Sequence, residues 1–311
     1  LDRRCIGQVT GWQNMLENLA NETPKEFVDF MSVERHQGRE YDVGLHRHFV
    51  DPAKPFAENI LNRSHGALIT SATLRDNTSW DFATARTGLN YIPEPPSQTT
   101  VPSPFDYTKQ TRVFVVSDID KNNLDQLAVA YRELMVASGG GALGLFTSVF
   151  RLRQVHQRLV QRSEMDKLML LAQHVDPLDT GTLVDIFRAE KNACLLGTDA
   201  VRDGIDVPGR ALRLIIYDRV PWPRPTILHK ARKNYFESEE SDLKYDDALT
   251  RLKLKQAFGR LIRRIDDYGI FIMLDRAMPS RLKSAFPEGV EIQRLGLAEI
   301  VKEVKNFLIQ S

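Results

Sequence analysis

The chain has 311 residues, enough for one large or two ordinary domains, and its 42% hydrophobic and 27% charged residues are the balance of a globular chain with a sizeable core. Its 42 Lys and Arg against 41 Asp and Glu leave a net charge of +1, so any nucleic-acid surface has to come from local clustering of basic side chains. Two distant cysteines, Cys5 and Cys194, exclude a zinc or redox pair, and no apolar run approaches the roughly 18–20 residues that span a bilayer. The expectation is a reduced, cytoplasmic, monomeric protein without a membrane partner. The chain opens at Leu1 without an initiator Met and reads as a piece of a longer protein.

In chain order, Trp12, Met15, Leu16 and Leu19 carry helical spacing over residues 1–24. Glu26–Val33 and Tyr41–Val50 alternate like strands, and Phe56–Arg63 is helical. Gly66-Ala-Leu-Ile-Thr-Ser-Ala-Thr-Leu74 has the run of a buried strand. Residues 91–110 hold five prolines, which predicts an irregular linker and a domain boundary. Beyond it, strands at Arg112–Ser117, Ala142–Thr147, Lys167–Gln173, Ala193–Thr198, Leu212–Asp218 and Gly269–Leu274 alternate with helices. These helices fall at Asn123–Ala137, Phe150–Val160, Thr180–Ala189, near 226–236, over 244–264 and at Leu297–Ile309. Such alternation predicts βαβ units around a mostly parallel sheet, with active groups on loops beyond the carboxyl ends of the strands. The linker sets off an α/β domain over about 105–311.

The segment Leu252–Arg264 is the most informative one. On a helix, Leu254, Phe258, Leu261 and Ile265 share one stripe, while Gln256, Arg260 and Arg263 share the opposite one. Two clustered guanidiniums repel each other unless an anion sits between them, and a nucleotide phosphate matches their fork geometry. A solvated basic face is the alternative. Leu195–Gly209 is a strand running into a loop with Thr198, Asp199, Gly204, Asp206 and Gly209, where amides and a hydroxyl could hold phosphate and Asp206 could accept from a sugar hydroxyl. The same residues also suit an ordinary tight loop. Thr147 and Ser148, like Ser71, Ala72 and Thr73, place small side chains at strand ends, where hydroxyls contact phosphates or cap helices.

Taken in order, these segments resemble the motifs of superfamily 2 helicases, and most closely the XPD/DinG group. Ala67–Leu74 resembles the motif with Ser-Ala-Thr that couples hydrolysis to strand movement, Leu145–Ser148 the fourth motif, and Leu195–Gly209 the fifth. Gln256–Arg263 resembles the sixth, Gln-x-x-Gly-Arg-x-x-Arg, and Arg219–Pro225 the proline-rich turn between the last two. The resemblance implies a RecA-like second motor domain over 105–311, preceded by a return segment from an inserted arch region (1–65) and the end of a first motor domain (66–104). It implies that Arg263 is an arginine finger on the ATP γ-phosphate, with Arg260 and Gln256 beside it. It places Gly204 and Asp206 at the nucleotide, Thr147, Ser148, Thr198 and Asp199 on single-stranded DNA, and Ser71, Ala72 and Thr73 in coupling. Arg202-Asp203 departs from the aromatic residue and Glu common in DinG-like members, which leaves the role of Asp203 open.

No Gly-x-x-x-x-Gly-Lys-[Ser/Thr] loop and no Asp-Glu-x-His segment occurs, and two cysteines cannot build the four-cysteine iron–sulfur site of many family members. The resemblance therefore implies that ATP and Mg are used with ligands from a missing N-terminal motor domain, and that an iron–sulfur cluster, where the parent has one, lies elsewhere. The activity implied is that of a 5′→3′ ATP-dependent DNA helicase, to which this chain contributes the arginine finger and half of the strand track. An RNA-directed or structure-specific relative and a non-catalytic nucleic-acid-binding module are the alternatives.

Overall fold

A computed structural model describes residues 2–36, 38–76, 79–161, 165, 167–204, 206–237 and 244–309. The chain divides into two compact units, one of Leu1–Gln98 with Pro223–Ala248 and one of Thr99–Trp222 with Leu249–Ser311.

In the first unit, α1 (Asp2–Leu19) precedes an antiparallel hairpin of β1 (Phe27–His36) and β2 (Arg39–Phe49). Across the hairpin the Arg47 guanidinium donates to both carboxylate oxygens of Asp29, at 2.8 and 2.6 Å. Helices α2 (Ala53–Asn59) and α3 (Asp81–Thr87) follow. The strand expected at Gly66–Leu74 does not form: the segment is largely exposed and outside any ladder, with Leu68 90% exposed. An apolar run becomes a strand only where a neighbour accepts its backbone hydrogen bonds, and the hairpin strands pair with each other. Ser71, Ala72 and Thr73 accordingly lie in a bend, where the Ser71 hydroxyl accepts from Thr73 N at 3.2 Å.

The second unit carries the α/β domain. Its elements run α4 (Tyr107–Gln110), β3 (Thr111–Val116), α5 (Leu124–Ser138), β4 (Ala142–Leu145), α6 (Val149–Leu159), β5 (Met169–Ala172), α7 (Thr180–Ala189), β6 (Ala193–Gly197), α8 (Asp199–Gly204) and β7 (Leu214–Tyr217). The chain then contributes α9 (Ile227–Phe236) and the start of α10 (Tyr245–Phe258) to the first unit, before β8 (Gly269–Met273), β9 (Ile292–Leu295) and α11 (Leu297–Ile309). Seven strands pair in the order β5-β6-β4-β7-β8-β3-β9, every pair parallel.

Side chains two apart on each strand share a face. Val113, Leu143, Leu195, Ile215 and Phe271 meet α7 and α10 through Leu183, Phe187, Leu254 and Phe258. Phe114, Ala142, Cys194, Leu214 and Ile270 meet α5, α6 and α11 through Tyr131, Leu134, Leu152, Val155 and Ile300. The domain is therefore a helix–sheet–helix sandwich. Burial pushes the Cys194 thiol up to about 12, so it is an inert core group. The turn after α5 uses Gly139, Gly140 and Gly141, all at positive φ, and a Cβ on Gly140 would lie 2.5 Å from the Asn192 backbone.

One helix ends earlier than its spacing predicts. The run to Arg264 stops at Phe258, and the exposed Gly259 begins a turn in which Arg260 N and Leu261 N reach back three residues, to Ala257 O and Phe258 O. Leu261 and Ile262 are still buried, but Ile265 is 79% exposed and off the apolar stripe assigned to it. Asp267 sets the turn: its buried carboxylate accepts from Arg263 N at 2.8 Å and Arg264 N at 2.7 Å. Gln110 Nε2 braces the same turn, donating to Ile265 O and Asp267 O at 3.0 Å each.

Replacing Asp267 leaves two amides without their acceptor, a loss comparable to a helix cap. Asp267→Ala is expected to lower stability by about 1–2 kcal/mol in urea denaturation, and Asp267→Asn by less, because its amide oxygen still accepts. Equal stability of wild type and Asp267→Ala would show that the carboxylate does not set this turn.

Candidate nucleotide and nucleic-acid site

Because all seven strands are parallel, their carboxyl ends share one edge, and polar groups emerge there. Thr147 and Ser148 follow β4, while Thr198 and Asp199 follow its neighbour β6. The two strand ends are tied by Phe146 N donating to Gly197 O at 2.8 Å. Thr147 N donates to Asp218 Oδ1 at 3.0 Å. Asp218, just past β7, is fully buried; burial raises its carboxyl, opposed by the ion pair with Arg151. Arg151 Nη2 in turn donates to Lys121 O at 2.8 Å. Ser148 caps α6, its hydroxyl accepting from Arg151 N at 3.3 Å, so the capping alternative describes its contacts. Thr198 donates from both N and Oγ1 to Gln173 Oε1, at 3.0 Å each.

Asp199 opens α8, which carries the chain alongside the second half of α10. Three contacts run in the same order on both segments. Lys253 Nζ meets Asp199 at 3.1 Å, Arg260 Nη2 donates to Asp203 O at 3.0 Å, and Arg263 Nε lies 3.4 Å from Asp206 Oδ1. The fifth and sixth motifs, separated in sequence, thus form one surface. Gly204 is the last residue of α8; Ile205 lies outside the described residues. Gln256 is half-buried, and its amide has no hydrogen-bond partner among the described residues.

The local electrostatics favour an anion. Burial lowers the Arg260 guanidinium and the neighbouring Arg263 lowers it further, with Asp206 and Asp203 opposing. Arg263 stays one-third exposed, and its Asp206 partner is 75% exposed, so this ion pair is a loose surface contact. A phosphate between the two guanidiniums would replace it with charge-assisted bonds. Both arginines lie beyond the helix, in the turn held by Asp267, so their common direction comes from that turn and not from a helical stripe.

Several residues that shape the site were not singled out from the sequence: Gln173, Arg151, Asp218, Lys253 and Asp267. Gln173 and Asp218 had the one signal available, a polar residue directly after an apolar strand. The departure at 202 also acquires a place. Arg202 is buried, with Asp199 at 2.9 Å and Asp203 at 2.9 Å. Burial works to lower its pKa, but Tyr217, Asp199 and Asp203 together raise it.

Among the described residues no group of three or more His, Cys, Asp or Glu side chains is placed to hold a metal ion, and no helix is long and apolar enough to cross a membrane.

Residues 131–292 match the helicase C-terminal domain family. The chain is 30% identical over 265 residues to the 3′-5′ exonuclease DinG of Bacillus subtilis, an alignment covering 80% of this chain and 27% of that protein. It is 32% identical over 219 residues to the ATP-dependent helicase DinG of Mycobacterium tuberculosis, covering 68% of this chain and 32% of that one. It is 31% identical over 238 residues to the ATP-dependent DNA helicase YoaA of Escherichia coli, covering 74% and 36%. The aligned part is thus about a third of each relative's length. With its match over residues 131–292, which takes in most of the parallel α/β sheet and the α10 turn, the chain belongs to the helicase C-terminal domain family.

Proposed function

We propose that residues 105–311 of this chain are the second motor domain of an ATP-dependent DNA helicase, acting from the far side of the nucleotide. The observation that carries the reading is the meeting of Arg260 and Arg263 with the 203–206 segment. Arg263 serves as the arginine finger, Arg260 and Gln256 flank the γ-phosphate, and Gly204 and Asp206 face the nucleotide. The residues present fit one side of ATP: two guanidiniums, one of them with its pKa depressed by burial and like charge, would match phosphate oxygens. Magnesium would supply charge neutralisation at the β- and γ-phosphates, held by carboxylates of a first motor domain. Residues 66–104 are read as the end of that first motor domain and 1–65 as a return segment from an inserted arch.

Thr147, Ser148, Thr198 and Asp199, on the carboxyl edge, are read as part of a single-strand track. Thr147 and Thr198 have their amides committed within the fold, to Asp218 and Gln173, which fixes the two loops. Opening and closing of the motor domains around ATP would move this track along DNA, with 5′→3′ polarity. Support comes from relatives named as ATP-dependent helicases.

The sharpest test is Arg263 in the full-length enzyme. Arg263→Ala is expected to cut ATP turnover by about 10³-fold at saturating single-stranded DNA, with an unchanged melt. Arg263→Lys should fail nearly as badly, since an ammonium loses the planar fork. Arg264→Ala should be mild: Arg264 is exposed and shares with Arg263 only the backbone bond to Asp267. Steady-state ATPase assays decide; full turnover by Arg263→Ala would remove the finger role.

A second expectation concerns the chain alone. Without a phosphate-binding loop it should hydrolyse no ATP above background and bind nucleotide weakly. Submicromolar affinity for an ATP analogue in a calorimetric titration would overturn the one-sided site.

A further inference from the structure

The carboxyl edge holds an aromatic group that no motif accounts for. Phe150, in the first turn of α6, is 66% exposed, whereas Leu152, Val155 and Leu159 of the same helix are buried. Their spacing defines the core stripe, and Phe150 lies off it. It lies two residues after Ser148, and Arg153 is its neighbour one turn on, on the same side of the helix.

This position is rigidly built. Ser148 caps the helix, and Arg151, adjacent to Phe150, is buried in its ion pair with Asp218. Arg153 donates from Nε and Nη2 to His174 O, at 3.2 and 3.1 Å, leaving Nη1 without a partner among the described residues. His174, just past β5, is held in a left-handed backbone conformation at φ 65°, and Val175 beside it is exposed. Gln173 links that loop to Thr198, and Phe146 links β4 to β6. The ends of three adjacent strands, in the order β5, β6, β4, thus form one shelf that carries an exposed ring beside a fixed guanidinium.

The shelf is not strongly basic. Of the nearby carboxylates, Asp176 accepts from Ala172 N at 2.7 Å, Asp179 caps α7, and Asp199 pairs with Arg202 and Lys253. Contact by the ring should therefore outweigh neutralisation of phosphates, and a ring fixed on a helix beside strand-facing hydroxyls suits a flat, unpaired base.

We propose that Phe150 is a base-stacking platform for single-stranded nucleic acid, with Arg153 receiving the adjoining phosphate. This rests on the strand-track reading above and adds to it how the strand is gripped. A single strand with its bases free is the ligand class; a duplex, with its bases already stacked, is not.

The test uses the 311-residue chain, a fluorescent oligothymidylate and its abasic counterpart, with anisotropy followed across a salt series. Wild type should bind oligothymidylate better than the abasic strand. Phe150→Ala should lose about tenfold in affinity for oligothymidylate, with its salt slope unchanged and its preference over the abasic strand gone. Phe150→Trp should retain binding, and Phe150→Leu should behave like Phe150→Ala. Arg153→Lys should retain the salt slope, while Arg153→Ala should reduce it by about 0.7, one phosphate of a single strand. Exposure of Phe150 means that melts of its variants should match wild type. If wild type binds and Phe150→Ala binds equally well, the platform is wrong while the track stands. If Phe150→Leu keeps full affinity, the ring packs as an apolar group and stacking is wrong. If wild type shows no salt-dependent binding to any strand, both readings fall.

Discussion

The structure depends on one constraint: a sheet in which every strand is parallel and covered on both faces has only its strand ends at which to present polar chemistry. Strands β4, β6, β7 and β8 are buried along their whole length, and helices lie over both faces. The carboxyl ends must then satisfy their own backbone groups at a partly exposed edge. Here buried side chains do so: Asp218 takes Thr147 N, Gln173 takes Thr198 N, and Asp275 takes Val220 N and Ala277 N. The groups that orient the edge are the same ones that keep its loops from fraying.

The guanidinium pair is set up by a different device. α8 is a single short run of six residues, too short to be stable alone, yet it sets Asp199 against Lys253 and the Asp203 carbonyl against Arg260, while Asp206, beyond its end, lies beside Arg263. Its underside is fixed by Val201, buried against the core. Gly197, where an added Cβ would meet Val201 at 2.5 Å, permits that close approach. Arg263 is held only loosely, by Asp206 at 3.4 Å.

The alternation of apolar strands with amphipathic helices made the second unit legible from sequence, because each strand finds its partners within the same domain. Thr180–Ala189 and Leu297–Ile309 form helices over the residues their periodicity predicts. Gly66–Leu74 misled for the complementary reason: its apolar run is strand-like, but its ladder partners are not supplied by the hairpin or the sheet. The end of α10 misled through the persistence of the pattern. Leu261 and Ile262 continue to be buried after the helix has stopped, so burial periodicity alone could not reveal that Gly259 and Asp267 had turned the chain. β9 escaped notice because Ile292–Leu295 is short and only partly buried, as an edge strand can be. The excursion of Pro223–Ala248 into the first unit left no local signal beyond the prolines that precede it.

The most instructive departure is Arg202. A buried guanidinium cannot be left without counter-charge, and the fold gives it two carboxylates, Asp199 on the preceding turn of α8 and Asp203 beside it. That arrangement fixes what Asp203 can do. Its side chain is engaged with Arg202, and its carbonyl accepts from Arg260. Asp199 likewise divides its two oxygens between Arg202 and Lys253. Of the three carboxylates along this segment, Asp206 is the one paired only loosely, and so the one whose oxygens a sugar hydroxyl could reach at little electrostatic cost.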